Sequence, residues 1–326
     1  MRILFFATLL ACREPQERAD APSTFVTVAA IRDAGTDASP QTRPFELMPC
    51  RATVLGHTFR GAAILCLAFQ AASITSIALD DPTSRIEAVI AVDTLVDQAL
   101  EPAARRGFPP SSVLYRGLVA LMLAGLERLS PNNPKTPRFD ELAAALTRDL
   151  EAGWLPSYKN ETYPCDHAPA ASALRLHSIL RGSSSEVADH LADRLRREFS
   201  SKFRTSTVDN TERASTLAFT AAFLLPGEPE LAARFASRFV TYCDRGLVTA
   251  CREWRDPRPA DAASGPIVAG YSVGATALGL PATRLLPAWH DALERTAIAM
   301  GANALDEDHP LEAALFRFGQ TARTWR

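Results

Sequence analysis

The apolar and polar positions of this chain alternate in long blocks rather than residue by residue. Small, uncharged, helix-forming runs recur at intervals of about 50 residues, and they begin near Gly61, Val113, His167, Ala214, Pro266 and Leu311. Charge-rich segments lie between them, at residues 83–105, 137–152, 185–199, 229–244 and 282–302. In the third of these, Val187, Leu191 and Leu195 form one apolar stripe because they are spaced by one helical turn.

A helix that is apolar on every side is buried, whereas a helix with one apolar stripe lies outside the core. The alternation therefore predicts an all-α fold built from helical hairpins, each with one inner and one outer helix. Six inner and at least five outer helices favour closure into a ring, an (α/α)6 toroid. An open solenoid of the same hairpins is the alternative, although solenoids carry a stronger repeat consensus and more uniform loops.

The predicted loops fall into two classes. Turns from inner to outer helices are short and contain proline, at residues 80–82, 226–229 and 280–282. Returns from outer to inner helices are longer, at residues 106–112, 153–166, 200–213, 246–265 and 303–310. In a ring of hairpins, all returns emerge on one face, together with the amino ends of the inner helices, whose free N–H groups favour anions. We therefore expect the functional site at this mouth.

The first residues resemble a secretion signal of the bacterial lipoprotein type. Met1 to Cys12 contain one positive residue and an apolar run, and Leu9-Leu10-Ala11-Cys12 resembles the box in which the cysteine becomes lipidated. An ordinary signal peptide and a misplaced start codon are the alternatives. By the same resemblance, Arg13 after the cysteine favours the outer membrane over the inner one. We expect a cell-envelope protein that reaches the membrane through this lipid.

Three segments follow from this interpretation: a signal at residues 1–12, a flexible tether at 13–44 and a toroid domain at 45–326. The tether is rich in Pro, Ala, Asp, Thr and Arg and has no apolar period. Residues 61–79 carry no charge and are long enough to span a bilayer, but their Gln, Ser and Ala content favours a buried core helix.

Composition excludes one class of partner and leaves others open. The chain has 326 residues, is 47% hydrophobic and carries a formal net charge of −2. Nucleic-acid binders carry a basic patch, and here Lys and Arg are scattered, so we expect no nucleic-acid partner. The sequence leaves the oligomeric state open.

Of the six cysteines, Cys243 and Cys251 flank a short connection and are the predicted disulfide pair. Cys66 lies in an apolar run and is expected to behave as a small buried hydrophobe. Cys50 and Cys165 remain. They pair with each other, or Cys165 is a thiol.

The loop at residues 154–167 concentrates the groups that could carry chemistry. Glu161 and Asp166 could form an acid/base pair of the kind that hydrolyses a glycosidic bond, with Tyr158 or Tyr115 as a helper. The alternative for Asp166 is N-capping of the following helix. His167 lies at the positive helix end, which would keep it a neutral base, and its alternative is a histidine hydrogen-bonded within the inner wall.

Other side chains on or beside the return loops are candidates for substrate binding, because aromatic rings stack on sugars and arginines bind carboxylates or phosphates: Tyr115, Arg116, Trp154, Cys165, Trp254, Tyr271, His57 and Arg60. Loop packing and neighbouring acids are the ordinary alternatives for each of them. Asp166 and His167 lack a third ligand at a suitable spacing, so we expect no metal and no cofactor.

The hairpin pattern, the loop at residues 158–167 and the helix entry at residues 265–276 (Gly-Pro-Ile-Val-Ala-Gly-Tyr-Ser-Val-Gly-Ala-Thr) together resemble (α/α)6-toroid proteins. That group includes glycoside hydrolases, polysaccharide lyases and linalool dehydratase–isomerase-like proteins, and the resemblance covers residues 57–326. It implies a lyase or hydrolase acting on a carbohydrate or small molecule. In the terpene-active members, a cysteine and an acid serve dehydration, and Cys165 and Asp166 are similar in kind. The alternative function is a non-catalytic lipoprotein that binds a glycan or peptide, and a scaffold without a ligand is a third.

Overall fold

Helices make up most of this protein, in a computed structural model that describes residues 45–50, 53–54, 57–58, 61–184, 186–201, 211–260, 264, 266–305 and 308–326. Within these ranges the helices are α1 Ala62–Asp80, α2 Arg85–Leu100, α3 Pro102–Arg105, α4 Val113–Leu129, α5 Thr136–Glu151, α6 Ala168–Arg181, α7 Glu186–Ser201, α8 Ala214–Leu224, α9 Pro229–Phe239, α10 Val273–Ala282, α11 Pro287–Ala299 and α12 Pro310–Thr321. The mostly helical class predicted from the sequence is confirmed. Cys12, Arg60 and the segments 1–12 and 13–44 lie outside the described residues.

The predicted inner segments correspond to six buried helices. Each contacts the next of its kind along the chain (α1, α4, α6, α8, α10, α12), and α12 contacts α1. The amphipathic helices pack on them: α2 contacts α1 and α4, α5 contacts α4 and α6, α7 contacts α6, α9 contacts α8, and α11 contacts α10. The α9 helix illustrates why, because Leu231, Phe235 and Phe239 are buried and lie one turn apart.

Small residues let the buried helices approach closely. A Cβ atom added to Gly117 on α4 would lie 2.8 Å from the backbone nitrogen of Ala170 on α6. At Gly319 on α12, it would lie 2.5 Å from the side chain of Leu280 on α10. Interiors are packed at crystal-like density, so neither site accommodates a methyl group without rearrangement.

Phenylalanines fill the space between the buried helices, including α1 and α8, which are not neighbours in the series of contacts. Phe69 on α1 stacks on Phe223 of α8 with ring centroids 5.5 Å apart and on Phe318 of α12 at 5.7 Å. Phe219 packs against Phe223 at 4.6 Å. The space between the buried helices is therefore filled by apolar side chains around these phenylalanines. We expect polar functional groups at the ends of the helices instead.

The α1 helix is the uncharged segment that could have been a membrane span. Among the described helices it is the one that is long and apolar enough to cross a bilayer by length and composition, and 83% of its most apolar window is buried inside the structure. It packs against α2, α4 and α12. Its burial fits the interpretation as a core helix.

Short strands accompany the helices, and the sequence analysis did not predict them. Strands β1 Thr53–Val54 and β2 His57–Thr58 form an antiparallel pair before α1. A second antiparallel sheet has the order β3-β4-β6-β5, with β3 Cys243–Asp244, β4 Ala250–Cys251, β5 Ile267–Val268 and β6 Tyr271–Ser272. Two-residue strands are too short to produce an alternating pattern. The predicted turn at 280–282 is also wrong, because Pro281 lies inside α10.

The cysteines follow the prediction in one pair and depart from it in the other. Cys243 and Cys251 are bonded, as predicted, and face each other in the β3–β4 register. Cys66 is not a simple buried hydrophobe, because it is bonded to Cys50. Gln70 explains this pairing: its side chain accepts a hydrogen bond from Met48 N (2.8 Å) and donates one to Met48 O (3.0 Å), which holds the segment before Cys50 against α1. Cys165 stays a buried thiol.

Candidate functional site

A tight turn positions Glu161 at the amino-terminal side of α6. Ser157 N donates to Glu161 O (2.8 Å), and Glu161 N donates to Tyr158 O (3.2 Å). Asn160 has a φ of 64°, a left-handed conformation that Asn tolerates better than most residues. The turn thereby projects Lys159 and Asn160 outward and keeps Glu161 half-buried.

Ser157 ties this turn to the start of α4. Its carbonyl accepts a hydrogen bond from the Ser112 hydroxyl at 2.6 Å, and Ser112 also caps α4 by accepting from Tyr115 N at 3.3 Å. The Ser157 hydroxyl accepts from Tyr163 N at 3.1 Å. The sequence analysis missed both serines. The signal available was a serine directly before an apolar helix, which is the usual N-cap pattern.

Asp166 is a buried acid beside Glu161. Only 4% of it is exposed, and within the described residues its Oδ2 atom has no hydrogen-bond partner. Burial raises the pKa of Asp166 to about 7, the negative charge of Glu161 adds to the rise, and hydrogen bonds from Ser157 and Cys165 oppose it. The side chain does not cap α6, whose N-cap position is His167 and lacks a side-chain capping bond. Burial therefore favours the protonated form of this carboxyl well above the pH at which an exposed aspartate loses its proton.

Glu161 and Cys165 complete the surroundings of Asp166. The Tyr163 hydroxyl donates to Glu161 Oε2 at 3.0 Å, and the Cys165 thiol donates to Asp166 Oδ1 at 3.6 Å. Two acids, one buried and one half-buried, therefore interact electrostatically in a site bordered by a thiol and a phenol. A buried carboxyl with a raised pKa beside a second acid is the kind of environment found in acid/base pairs.

His167 lies inside the loop, where both of its ring nitrogens bond to the backbone. It is fully buried. Its Nε2 accepts from Leu155 N at 3.0 Å, and its Nδ1 bonds to Tyr163 O at 3.1 Å. Burial lowers the pKa of His167 to about 3. The imidazole is neutral, as predicted from its place at the helix end, but the main cause is burial. Both ring nitrogens form hydrogen bonds with backbone groups of the loop. These bonds fit the alternative interpretation of His167 as a histidine hydrogen-bonded within the inner wall.

An aromatic cluster covers the site. Phe108 stacks on Tyr158 with centroids 5.4 Å apart and lies 5.8 Å from Tyr115, and Tyr158 meets Tyr163 edge-on at 6.3 Å. The Tyr115 hydroxyl donates to Ala99 O at 2.8 Å, and burial raises the pKa of Tyr115. Tyr158 thus lies beside the acids, whereas the Tyr115 hydroxyl is directed to a helix backbone. Phe108 carried no signal in the sequence beyond its place in a return loop.

Two other predicted ligand-binding residues lie in the wall around this loop. Arg116 pairs with Asp149 at 2.7 Å, and its second terminal nitrogen is buried without a partner among the described residues. Trp154 packs edge-on against His167 at 4.5 Å, and Arg194 lies over its ring at 5.3 Å. Trp154 therefore packs the loop, which is the ordinary alternative weighed for it.

The remaining predicted residues have other surroundings. Trp254 lines a cleft near the start of α8, and Arg213 lies over its ring at 4.9 Å. The Tyr271 hydroxyl donates to Asp244 at 3.0 Å. His57 lies in β2, where it is paired with Val54. The structure therefore brings together Tyr158, Glu161, Cys165 and Asp166, and it places Trp254 and Tyr271 on separate elements.

No three metal-ligating side chains come together in the described part of the chain. Comparison with known proteins adds no assignment. Neither a protein-family model nor a curated protein matches this sequence. The geometry of the site is therefore the basis for inferring function.

Proposed function

We propose that the protein is a cell-envelope lyase or hydrolase with an (α/α)6-toroid domain, and that its substrate is a carbohydrate or small molecule bound at the mouth. The observation that carries this proposal is the Glu161–Asp166 pair. A buried carboxyl with a pKa near 7, next to a second acid, is an arrangement typical of catalytic sites. The toroid interpretation is supported by the series of contacts among the six buried helices, which returns from α12 to α1.

In this proposal Asp166 is the general acid and Glu161 is the general base. For hydrolysis, Asp166 donates its proton to the leaving oxygen as the C–O bond breaks. Glu161 takes a proton from the water whose oxygen forms the new bond to carbon. The phenol of Tyr158 and the thiol of Cys165 help to hold the reacting groups. His167 is excluded from the acid/base set because its two nitrogens already bond to the backbone.

Anchoring belongs to the same proposal. Acylation of Cys12 would attach the chain to the membrane, the segment at residues 13–44 would act as a tether, and the outer membrane is the proposed site. Metabolic labelling with a radioactive fatty acid tests this directly. Label in the wild type and none in Cys12→Ala is the expected result, and an unlabelled wild type would contradict the lipoprotein assignment.

The catalytic test compares wild type, Glu161→Gln and Asp166→Asn on purified envelope polysaccharides. New reducing ends report chain cleavage by either route, and ultraviolet absorbance of an unsaturated product distinguishes elimination from hydrolysis. Removing either acid should lower turnover by at least about 100-fold, the lower range for general acid–base groups. Glu151→Gln, an exposed carboxylate at the end of α5, is the matched control and should retain full turnover. Undiminished turnover in Glu161→Gln would refute the mechanism.

A second candidate is a non-catalytic lipoprotein that binds a glycan or peptide. It is favoured by the number of polar groups in this region that already bond internally, since Tyr115 and His167 both bond to the backbone. This candidate predicts measurable glycan binding without product, and an equal affinity in Glu161→Gln.

A further inference from the structure

A polar cleft of about 210 Å³ lies between the start of α8, the end of α9 and the segment before β5. Its lining includes Glu212, Arg238, Tyr242, Trp254, Arg255 and Arg258. It shares no lining residue with the Glu161–Asp166 site. Its properties are therefore independent of the proposed catalytic function.

One wall of the cleft is fixed by an internal network. Glu212 accepts hydrogen bonds from Arg238 Nε at 3.1 Å and from the Tyr242 hydroxyl at 2.7 Å. Burial and the adjacent Glu212 carboxylate raise the pKa of Tyr242 to about 12. Tyr242 therefore remains a protonated donor, and the charge of Glu212 is balanced within the wall.

The cleft also carries positive charge from Arg255 and Arg258. Arg255 lies over the Tyr242 ring at 4.8 Å and donates to Thr241 Oγ1 at 3.2 Å. In the part of the chain that the structure describes, neither Arg255 nor Arg258 forms an ion pair with a carboxylate. Three arginines and two acids line the cleft, so its net charge is positive once the Arg238–Glu212 pair is balanced.

We propose that this cleft binds a small hydroxylated oxyanion, either a sugar phosphate or a sugar acid. Guanidinium groups recognise carboxylate and phosphate oxygens in pairs of hydrogen bonds, which assigns the oxyanion to Arg255 and Arg258. Asp256 also lines the cleft, and a carboxylate accepts hydrogen bonds from ligand hydroxyls. The volume is below the roughly 300–1,000 Å³ of pockets for drug-sized ligands, so one sugar ring is the fitting size.

Calorimetric titration of the full chain tests the proposal. The probes are glucose 6-phosphate, glucuronate, inorganic phosphate and neutral glucose. We expect one of the two anionic sugars to bind more tightly than both phosphate and glucose. The double variant Arg255→Ala/Arg258→Ala should lose affinity by roughly ten- to 100-fold, because hydrogen bonds to charged groups are lost. Arg252→Ala is the control with unchanged affinity, since Arg252 pairs with Asp244 outside the cleft.

The identity of the sugar that binds more tightly distinguishes a phosphate ligand from a carboxylate ligand. Preference for glucose 6-phosphate assigns a phosphate ligand, and preference for glucuronate assigns a carboxylate. Equal binding of glucose and the anionic sugars, absence of binding by wild type, or full affinity in the double variant would overturn the proposal. Inorganic phosphate binding as tightly as both sugars would overturn the role of the hydroxyl groups. Glu161→Gln should leave all these affinities unchanged, so failure here is distinguishable from failure of the catalytic mechanism.

Discussion

The replacement Asp166→Asn should change the pH dependence of stability in a specific direction. The native pKa of Asp166 is raised to about 7 from an ordinary value of 3.8. A native carboxyl with a raised pKa retains a proton that the unfolded chain releases. Its contribution to the free energy of unfolding is therefore fully present below about pH 4 and is lost as the pH rises to about 7. Asparagine stays neutral at every pH and does not incur this loss.

The size of the effect follows from the shift. About three pKa units at about 1.4 kcal/mol each correspond to roughly 4 kcal/mol. The neighbouring His167 acts in the opposite direction. Its pKa is lowered to about 3 from 6.5, so its contribution is present above about pH 6.5 and is lost as the pH falls towards 3. Comparing the variant with wild type cancels the His167 effect, because both proteins retain the histidine.

The assay is urea unfolding followed by circular dichroism at a series of pH values. The stability of Asp166→Asn relative to wild type should increase by up to about 4 kcal/mol between about pH 4 and pH 8. Titration of carboxyl carbons by NMR provides a second readout, in which the signal missing from the variant has its midpoint near pH 7. A stability difference that stays constant within about 0.5 kcal/mol across this range would refute the reasoning.

Three further changes test the packing and the network around the sites. Gly227→Ala would place a Cβ atom 2.5 Å from a backbone oxygen of α6. Thermal unfolding should show a loss of stability of about 1–3 kcal/mol, or the variant should misfold. An unchanged unfolding midpoint would contradict the close approach of this turn to α6. Replacing Cys243 and Cys251 by serine should lower the free energy of unfolding by about 2–3 kcal/mol, measured in urea, and no loss would contradict the bond. Arg213→Ala removes the guanidinium that lies 2.7 Å from the buried Glu253 carboxylate. Urea unfolding should show a loss of stability of about 3–5 kcal/mol near pH 8 and a smaller loss in acid, where Glu253 is protonated. A loss of stability that does not change with pH would exclude the unpaired carboxylate as its cause.

The helical architecture could be predicted because it is encoded locally. Whether a helix carries charge on one face or on none is visible within one block of sequence, so the buried α8 and the striped α9 are both evident. The Cys243–Cys251 bond was predictable for the same reason, since its loop is short. The Cys50–Cys66 bond was not, because it depends on Gln70 holding a distant segment against α1.

The candidate site was predictable as a location but not as a set of roles. The acids, the thiol and the aromatics were visible in one loop, but their burial depends on contacts with Ser112 and Phe108 from another loop. Burial lowers the pKa of His167 and raises the pKa of Asp166. Sequence spacing does not report burial, so the two neighbours could not be assigned opposite roles in advance.

Asp166 differs from the buried acids that pair with arginine, and this difference is a reason to look for function at this loop. Buried Glu127, near the carboxyl end of α4, pairs with Arg181 at 2.9 Å, and buried Glu228, at the N-cap of α9, pairs with Arg175 at 2.6 Å. Such pairs are what folding requires when it buries a charge. Asp166 has neither an arginine nor any hydrogen bond to its Oδ2 among the described residues. An acid that folding alone would have paired or replaced is expected to be retained for the proton it holds.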